Sequence, residues 1–235
     1  MADQELAKPP IHNRIVNKLR ALRDHHLLGV PPRAADPYVT HLPVLVGVGS
    51  LLKIRSVLEF GSGNHSSLTF LDRNCFPDVE RVDSFENDVE WGCSIRAKTA
   101  HDPRFTMHLL EGSVADAVRT VKIEDYDLIF IDDSVESEQR QATITAVVAL
   151  RPSRAVVVVH DFEHPPYRHR LRPMKHTVRM TALNPNTGVG WNDAPLTQNS
   201  LRALNRLVRE QAGSLPLNDK ARLATVVRQG IRHAS

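Results

Sequence analysis

The residues able to do chemistry in this chain stand at the ends of short apolar runs. Ser56-Val-Leu-Glu-Phe-Gly-Ser-Gly-Asn-His-Ser-Ser67 is an apolar strand that runs into a glycine-rich turn and then a helix start. Gly61 and Gly63 let the backbone turn sharply and approach a ligand with no Cβ in the way, while Ser62, Asn64 and Ser66 suit turn or capping positions. Arg81-Val-Asp-Ser-Phe-Glu86 reads as a second strand ending in an acid, about 20 residues beyond the glycines, from where a carboxylate takes both hydroxyls of a ribose. The turn departs from the dinucleotide fingerprint. Ser66 stands where a third glycine would allow close packing beside a pyrophosphate, and Glu59 puts an acid where a phosphate gains nothing. A cofactor with a positive centre fits these residues better.

Two further runs end in polar residues. Tyr126-Asp-Leu-Ile-Phe-Ile-Asp132 is followed by Asp133, and Ala155-Val-Val-Val-Val-His-Asp161 carries His160 and Asp161 at its end. In a parallel sheet covered on both faces such runs are buried, and only their carboxyl ends reach a ligand crevice. His160, with Asp161 to hold its tautomer, is a candidate general base. Asp132, Asp133, His160 and Asp161 also offer oxygen and nitrogen ligands for a divalent cation. Plainer readings stand beside these. The two glycines mark any tight strand-to-helix turn, the acids at 132 and 133 suit the start of a following helix, and His160 suits a structural hydrogen bond.

At the ExGxG run from Glu59 to Gly63 and at Glu86, the chain resembles the class I S-adenosylmethionine-dependent methyltransferases of small-molecule O-methyltransferase type, over roughly Ile54 to Trp191. The resemblance implies a Rossmann-like α/β fold: a seven-stranded, mostly parallel sheet with an antiparallel closing strand and helices on both faces. It implies that Glu59, Gly61 and Gly63 wrap the methionyl end of S-adenosylmethionine and that Glu86 binds its ribose. Glu111-Gly-Ser-Val-Ala-Asp116, after a third strand at Phe105–Leu110, would lie along the adenine and present Gly112 and Ser113. Asp132 would contact the cofactor or a metal. In the family's strand order the fourth and fifth strands are neighbours, so Asp132, Asp133, His160 and Asp161 would converge beside the transferable methyl. There His160 would take the proton of an acceptor hydroxyl during an in-line displacement. Some of these enzymes hold magnesium at the ends of the same two strands with acid and amide ligands, so a divalent cation is a second cofactor expectation, although His160 is not one of those ligand types. Two other functions share parts of the pattern: a nicotinamide-dependent oxidoreductase, and a catalytically silent binding module that keeps the pocket.

The elements that must position these residues follow from patterning. The chain has 235 residues, 41% of them hydrophobic, enough for one substantial core, and a single domain over 1–235 is expected. Within it, residues 1–53 are expected as an N-terminal helical cap, 54–192 as the cofactor-binding core and 193–235 as the C-terminal helices. Ile15, Leu19 and Leu22 give Ile11–Leu28 an amphipathic helical pattern. Tyr38–Leu52 reads as a second helix, with Pro43, Gly47 and Gly49 against its continuity. His164–Tyr167 opens a loop, and the basic run through Arg179 reads as a solvated loop or as a grip for a phosphate, a carboxylate or a nucleic-acid backbone. Thr177–Leu183 and Val189–Trp191 read as two short strands around a turn at Asn184–Gly188, and Leu201–Gln211 and Asp219–Arg232 as helices that cap the fold or join copies.

A net charge of +3 and only 5% aromatic residues leave no evident base-stacking platform, so a small anionic or hydroxylated acceptor is expected in preference to nucleic acid. Cys75 and Cys93 fit neither a metal-ligand spacing nor a disulfide framework, which agrees with a reducing cytoplasm. The amino terminus has no secretory layout, and the least charged stretch, Pro37–Leu52, is too short to span a bilayer, so a soluble protein is expected.

Overall fold

The computed structural model describes residues 36–134 and 136–234, and the helix expected over Ile11–Leu28 lies outside them. Seven strands form one sheet: β1 Ser56–Phe60, β2 Arg81–Glu86, β3 Phe105–Leu109, β4 Leu128–Ile131, β5 Val156–Val159, β6 His176–Met180 and β7 Thr187–Trp191. Their spatial order is β3-β2-β1-β4-β5-β7-β6. β1 to β5 pair in parallel, while β7 lies antiparallel between β5 and β6. The chain winds outward from β1 through β2 to β3, then returns to the other side of β1 with β4. That reversal opens a crevice between the carboxyl ends of β1 and β4, the usual ligand position in such sheets.

Strand side chains alternate between faces, and the buried residues sort accordingly into two cores. Val57, Leu128, Phe130, Val156 and Val158 join one core. Leu58, Phe60, Ile129, Ile131, Val157 and Val159 join the other. An apolar run with no polar alternation is what a strand covered on both faces requires. The first core is closed by α1 (Leu42–Leu51), α7 (Gln198–Glu210) and α8 (Lys220–Ala234). Residues of α4 (Val114–Val118), α5 (Ser137–Ala149) and α6 (Pro165–Leu171) close the second. Helices α2 (Ser66–Leu71) and α3 (Val89–Thr99) follow β1 and β2.

The segment expected as one helix over Tyr38–Leu52 divides into a 3₁₀ turn at Pro37–Val39 and α1. Pro43 falls in the first turn of α1, where its missing N–H has no helical partner to lose. Gly47 and Gly49 do not break α1, because neighbours use the space a Cβ would fill: Leu204 of α7 at Gly47 and the Phe76 ring at Gly49. The basic run is not a loop. Its first part is α6 and its last part is β6, close to the strand expected over Thr177–Leu183, joined by a short turn; β6 pairs along one edge with β7. Among the described residues no helix is long and apolar enough to cross a membrane.

Candidate active site

The turn after β1 is fixed from both sides. The Gly61 N–H donates to the Phe85 carbonyl at 2.9 Å and the Asp132 N–H to the Phe60 carbonyl at 2.8 Å, which ties the ends of β2, β1 and β4 together. Gly61 has φ 88°, and a Cβ there would meet the Asp132 carbonyl. Only glycine combines that left-handed backbone with so close an approach. The turn leads into α2, with the Gly63 N–H donating to Ser67 Oγ at 3.0 Å.

Around this turn lies a cleft of about 810 Å³, walled by Gly61, Ser62, Gly63, Glu86, Asp132 and His160 among others, with Pro37, Tyr38 and His41 from the opposite segment. Its size suits a small-molecule or cofactor site. Of the residues singled out from sequence, the structure brings Gly61, Gly63, Glu86, Asp132, Asp133, His160 and Asp161 to this one wall. Glu59, Gly112 and Ser113 stand apart from it. Gly112 is exposed, and Ser113 caps α4, its Oγ accepting from the Ala115 N–H at 3.2 Å.

Glu86 is buried with all its acceptor capacity in use. Oε2 accepts from the Ser62 N–H and hydroxyl, each at 3.0 Å, and Oε1 accepts from the Asn87 and Asp88 N–H groups, each at 2.9 Å. The carboxylate therefore folds the glycine turn against β2 while facing the cleft. Trp91 adds to this from α3, donating its indole N–H to the Ser62 carbonyl at 2.7 Å.

Glu59 lies beneath the turn, fully buried. Its Oε2 accepts from the Ser67 and Ser84 hydroxyls, both at 2.6 Å, while Oε1 has no hydrogen-bond partner among the described residues. Burial pushes the carboxyl up to about 7, against the opposing pull of the serine hydroxyls. A proton on Glu59 at neutral pH lowers the cost of the unpartnered oxygen.

The ends of β4 and β5 meet around a residue that sequence reading did not single out, Arg140 of α5. Its Nη2 lies 2.8 Å from Asp132 Oδ1 and its Nη1 2.7 Å from Asp161 Oδ2. Nη2 also donates to the Ser134 carbonyl, and the guanidinium lies 5.7 Å from the Tyr167 ring centroid. Asp133 Oδ2 accepts from the Thr143 hydroxyl at 2.6 Å, and burial holds its carboxyl above the usual range. Neither aspartate caps α5, whose N-cap is Glu136.

His160 is held at both ring nitrogens. Nδ1 faces Asp132 Oδ2 at 3.2 Å, and Nε2 shares a 2.9 Å hydrogen bond with the Thr40 hydroxyl. Asp161, the expected orienting residue, is farther from Nδ1, at 3.8 Å, and is bound to Arg140 instead. Asp161 has φ 54°, a left-handed backbone just beyond β5, and its carboxylate bonds Arg140 of α5. Burial works against the charge on His160, but Asp132 outweighs it and the ring titrates above its usual 6.5. Burial likewise pulls Asp132 upward, yet His160 and Arg140 prevail and hold it at about 2.

His41 is a second histidine not foreseen from sequence. It is buried, neither ring nitrogen has a hydrogen-bond partner among the described residues, and its ring meets His160 edge-on at 4.7 Å between centroids. Burial, followed by the neighbouring His160 charge, lowers its pKa well below 6.5, so it is neutral. One ligand atom each from His41, Asp132 and His160 lie within 4.8 Å of one another. Asp133 and Asp161, expected in a metal set, belong instead to the surroundings of Arg140.

The sheet order and the cleft at its reversal define a Rossmann-like fold of the class I methyltransferase type. Two solved structures share it over most of the chain. The O-methyltransferase TomG from Streptomyces achromogenes, involved in tomaymycin synthesis and solved with S-adenosylmethionine, superposes with a TM-score of 0.51 at 18% identity, over 80% of this chain and 92% of that one. Cofactor-bound Rv0187 from MTB gives 0.50 at 19% identity, over 80% of this chain and 100% of that one. An O-methyltransferase family protein from Burkholderia thailandensis matches at 12% identity and a TM-score of 0.49. The match spans 67% of this chain but only 58% of the length of that one. No protein-family model matches the sequence, and no curated protein matches it.

Proposed function

We propose that this chain is an S-adenosylmethionine-dependent methyltransferase acting on an oxygen of a small molecule. The observation that carries the reading is the shared wall of the cleft: a glycine turn, a ribose-type acid at the end of the next strand and an aspartate–histidine pair, all at the sheet's point of reversal. The cofactor would supply an electrophilic methyl on a sulfonium centre. Gly61 and Gly63 keep the wall free of side chains, and the Asp132 carboxylate places negative charge where a sulfonium gains from it. Glu86 is the proposed ribose ligand. Three backbone N–H groups hold its carboxylate, and only the Ser62 hydroxyl has to yield for a ribose hydroxyl to bind.

His160 is the proposed base, with Asp132 in place of Asp161 as the group that holds Nδ1. Nε2 then becomes the nitrogen that takes the acceptor's proton, once Thr40 releases it. Because Asp132 raises the histidine above 6.5, the ring is protonated and idle at lower pH, and turnover rises as pH climbs through that raised value. Exposed Tyr38 at the mouth offers an apolar ring to a hydroxylated acceptor. Arg168, Arg170, Arg172, Lys175 and Arg179 do not line the cleft, so nothing in its wall favours an anionic acceptor through the basic run.

Titration calorimetry with S-adenosylmethionine and, separately, NADH tests the reading. Micromolar binding of the sulfonium cofactor and none of NADH is expected, and the reverse would establish the oxidoreductase instead. His160→Ala is expected to lower kcat by roughly 10²–10⁴-fold with cofactor affinity nearly unchanged. Glu86→Ala should weaken the cofactor by at least about tenfold. Equal loss of binding in both variants would overturn the two roles.

A further inference from the structure

We infer that Arg140 is the resident cation of this centre: its guanidinium occupies the place between Asp132 and Asp161 that a divalent ion would need, and the site works without a metal. The inference concerns the cleft of the proposed methyl transfer and rests on that reading only for what the centre is used for. Three observations carry it. The guanidinium bonds both carboxylates at charge-assisted lengths, 2.8 Å to Asp132 and 2.7 Å to Asp161, and so uses the oxygens that two adjacent strand ends would turn to an ion. Arg140 is itself 3% exposed, held by the Ser134 carbonyl and lying against the Tyr167 ring, so its guanidinium is fixed between the two acids. Of the remaining oxygens, Asp132 Oδ2 is taken by His160 and Asp133 Oδ2 by Thr143, while Asp133 Oδ1 faces the guanidinium Nε at 3.9 Å and Asp161 Oδ1 faces His160 Nδ1 at 3.8 Å.

A magnesium or manganese ion takes six oxygen ligands in near-octahedral array and commonly relies on one or two carboxylates for its charge. Here those carboxylates already face a permanent positive charge, and arginine does not release its proton to make room. A softer ion on His41, Asp132 and His160 would face the same obstacle, since Asp132 Oδ1 stays on Arg140 and Oδ2 would have to leave the imidazole. The guanidinium does for the acids part of what a metal would do, offsetting some of their negative charge and fixing their direction, and it leaves the proton chemistry to the histidine.

Manganese binding followed by electron paramagnetic resonance, with zinc as a second probe by calorimetry, tests this without a methyl acceptor or cofactor. The wild-type chain should bind neither ion at this site. Arg140→Ala, folded by circular dichroism, should gain manganese affinity by about tenfold or more. Asp161→Asn in the same background should remove that gain, and Arg140→Lys should keep the ion out. Wild-type binding that is lost in Asp132→Asn or His41→Ala would overturn the inference, as would a folded Arg140→Ala that gains no affinity. If Arg140→Ala does not fold, the wild-type titration decides alone. Absence of S-adenosylmethionine binding would sink the methyltransferase reading and leave this result standing.

Discussion

Glu59 shows how one buried atom can set a pH dependence. Its carboxyl titrates near 7 in the folded chain against an ordinary 4.5, so between those values the native state holds a proton that the unfolded chain has released. Stability from the neutral form is therefore complete below about 4.5 and is lost as pH rises through about 7. Glu59→Gln keeps the shape and removes the titration. Denaturant melts of the two proteins at pH 4.5 and pH 8 should show the wild type losing on the order of 3 kcal/mol relative to the variant. An unchanged difference would mean that Oε1 finds a partner in solution. The acids and the histidine at strand ends were legible because an apolar run announces where its polar terminus must lie. Arg140 was harder to see, since its segment reads as an ordinary polar helix start. Its signal is positional: it shares a face with Thr143, Ile144 and Val147, all buried, and an arginine in a buried stripe needs an acid. His41 and Thr40 carried no such signal, because their partner His160 is well over a hundred residues away.

At the level of elements, the strands were read to within two residues at most ends, since β-branched runs bounded by turns leave little choice. The helix α1 was read with a doubt that only packing resolves: a glycine inside a helix weakens it alone and favours it where a neighbour fills the gap. The basic run misled over its first part, α6, because charge suggested solvent or a ligand, whereas the strand at its end was expected over Thr177–Leu183. Its last part, β6, is the outer strand of the sheet, where charged side chains discourage pairing with another chain, and Arg179 there bonds Asn186 at 2.7 Å. The turn joining β1 to α2 depends on one residue more than any other. Gly61→Ala places a methyl against the Asp132 carbonyl in a left-handed backbone, so a loss of about 1–3 kcal/mol is expected, with cofactor affinity falling in step because the wall shifts. Thermal melts and calorimetry on the same sample check both, and a stable variant with intact binding would show that the turn can relax.

For the molecule as a whole, the site is assembled from distant parts of the chain. The carboxyl ends of β1, β2, β4 and β5 supply one wall, and the segment before α1 supplies Tyr38, Thr40 and His41. That segment is held through α1, which packs against α7 and α8. Ending the chain before α8 would uncover the sites of Leu223, Ala224 and Val227 and remove their packing, at roughly 3–6 kcal/mol for the two larger side chains. The shortened chain is expected to melt lower and to turn over more slowly than its loss of folded fraction explains, since Thr40 and His41 lose their support. Melting curves and assays at a temperature where both chains are folded separate these effects.

The four valines of β5 carry one more consequence, which concerns the chain before it is folded. Val156–Val159 is buried on both faces between β4 and β7, and β7 is made about thirty residues later than β5. Until β7 arrives, a growing or refolding chain presents an uncharged, strongly strand-forming segment with an open edge, the composition that nucleates cross-β aggregates. Arg151 and Arg154 on one side and Asp161 on the other bracket it with charge. Asp161 thus guards the nascent strand from self-association before it settles against Arg140 in the finished fold.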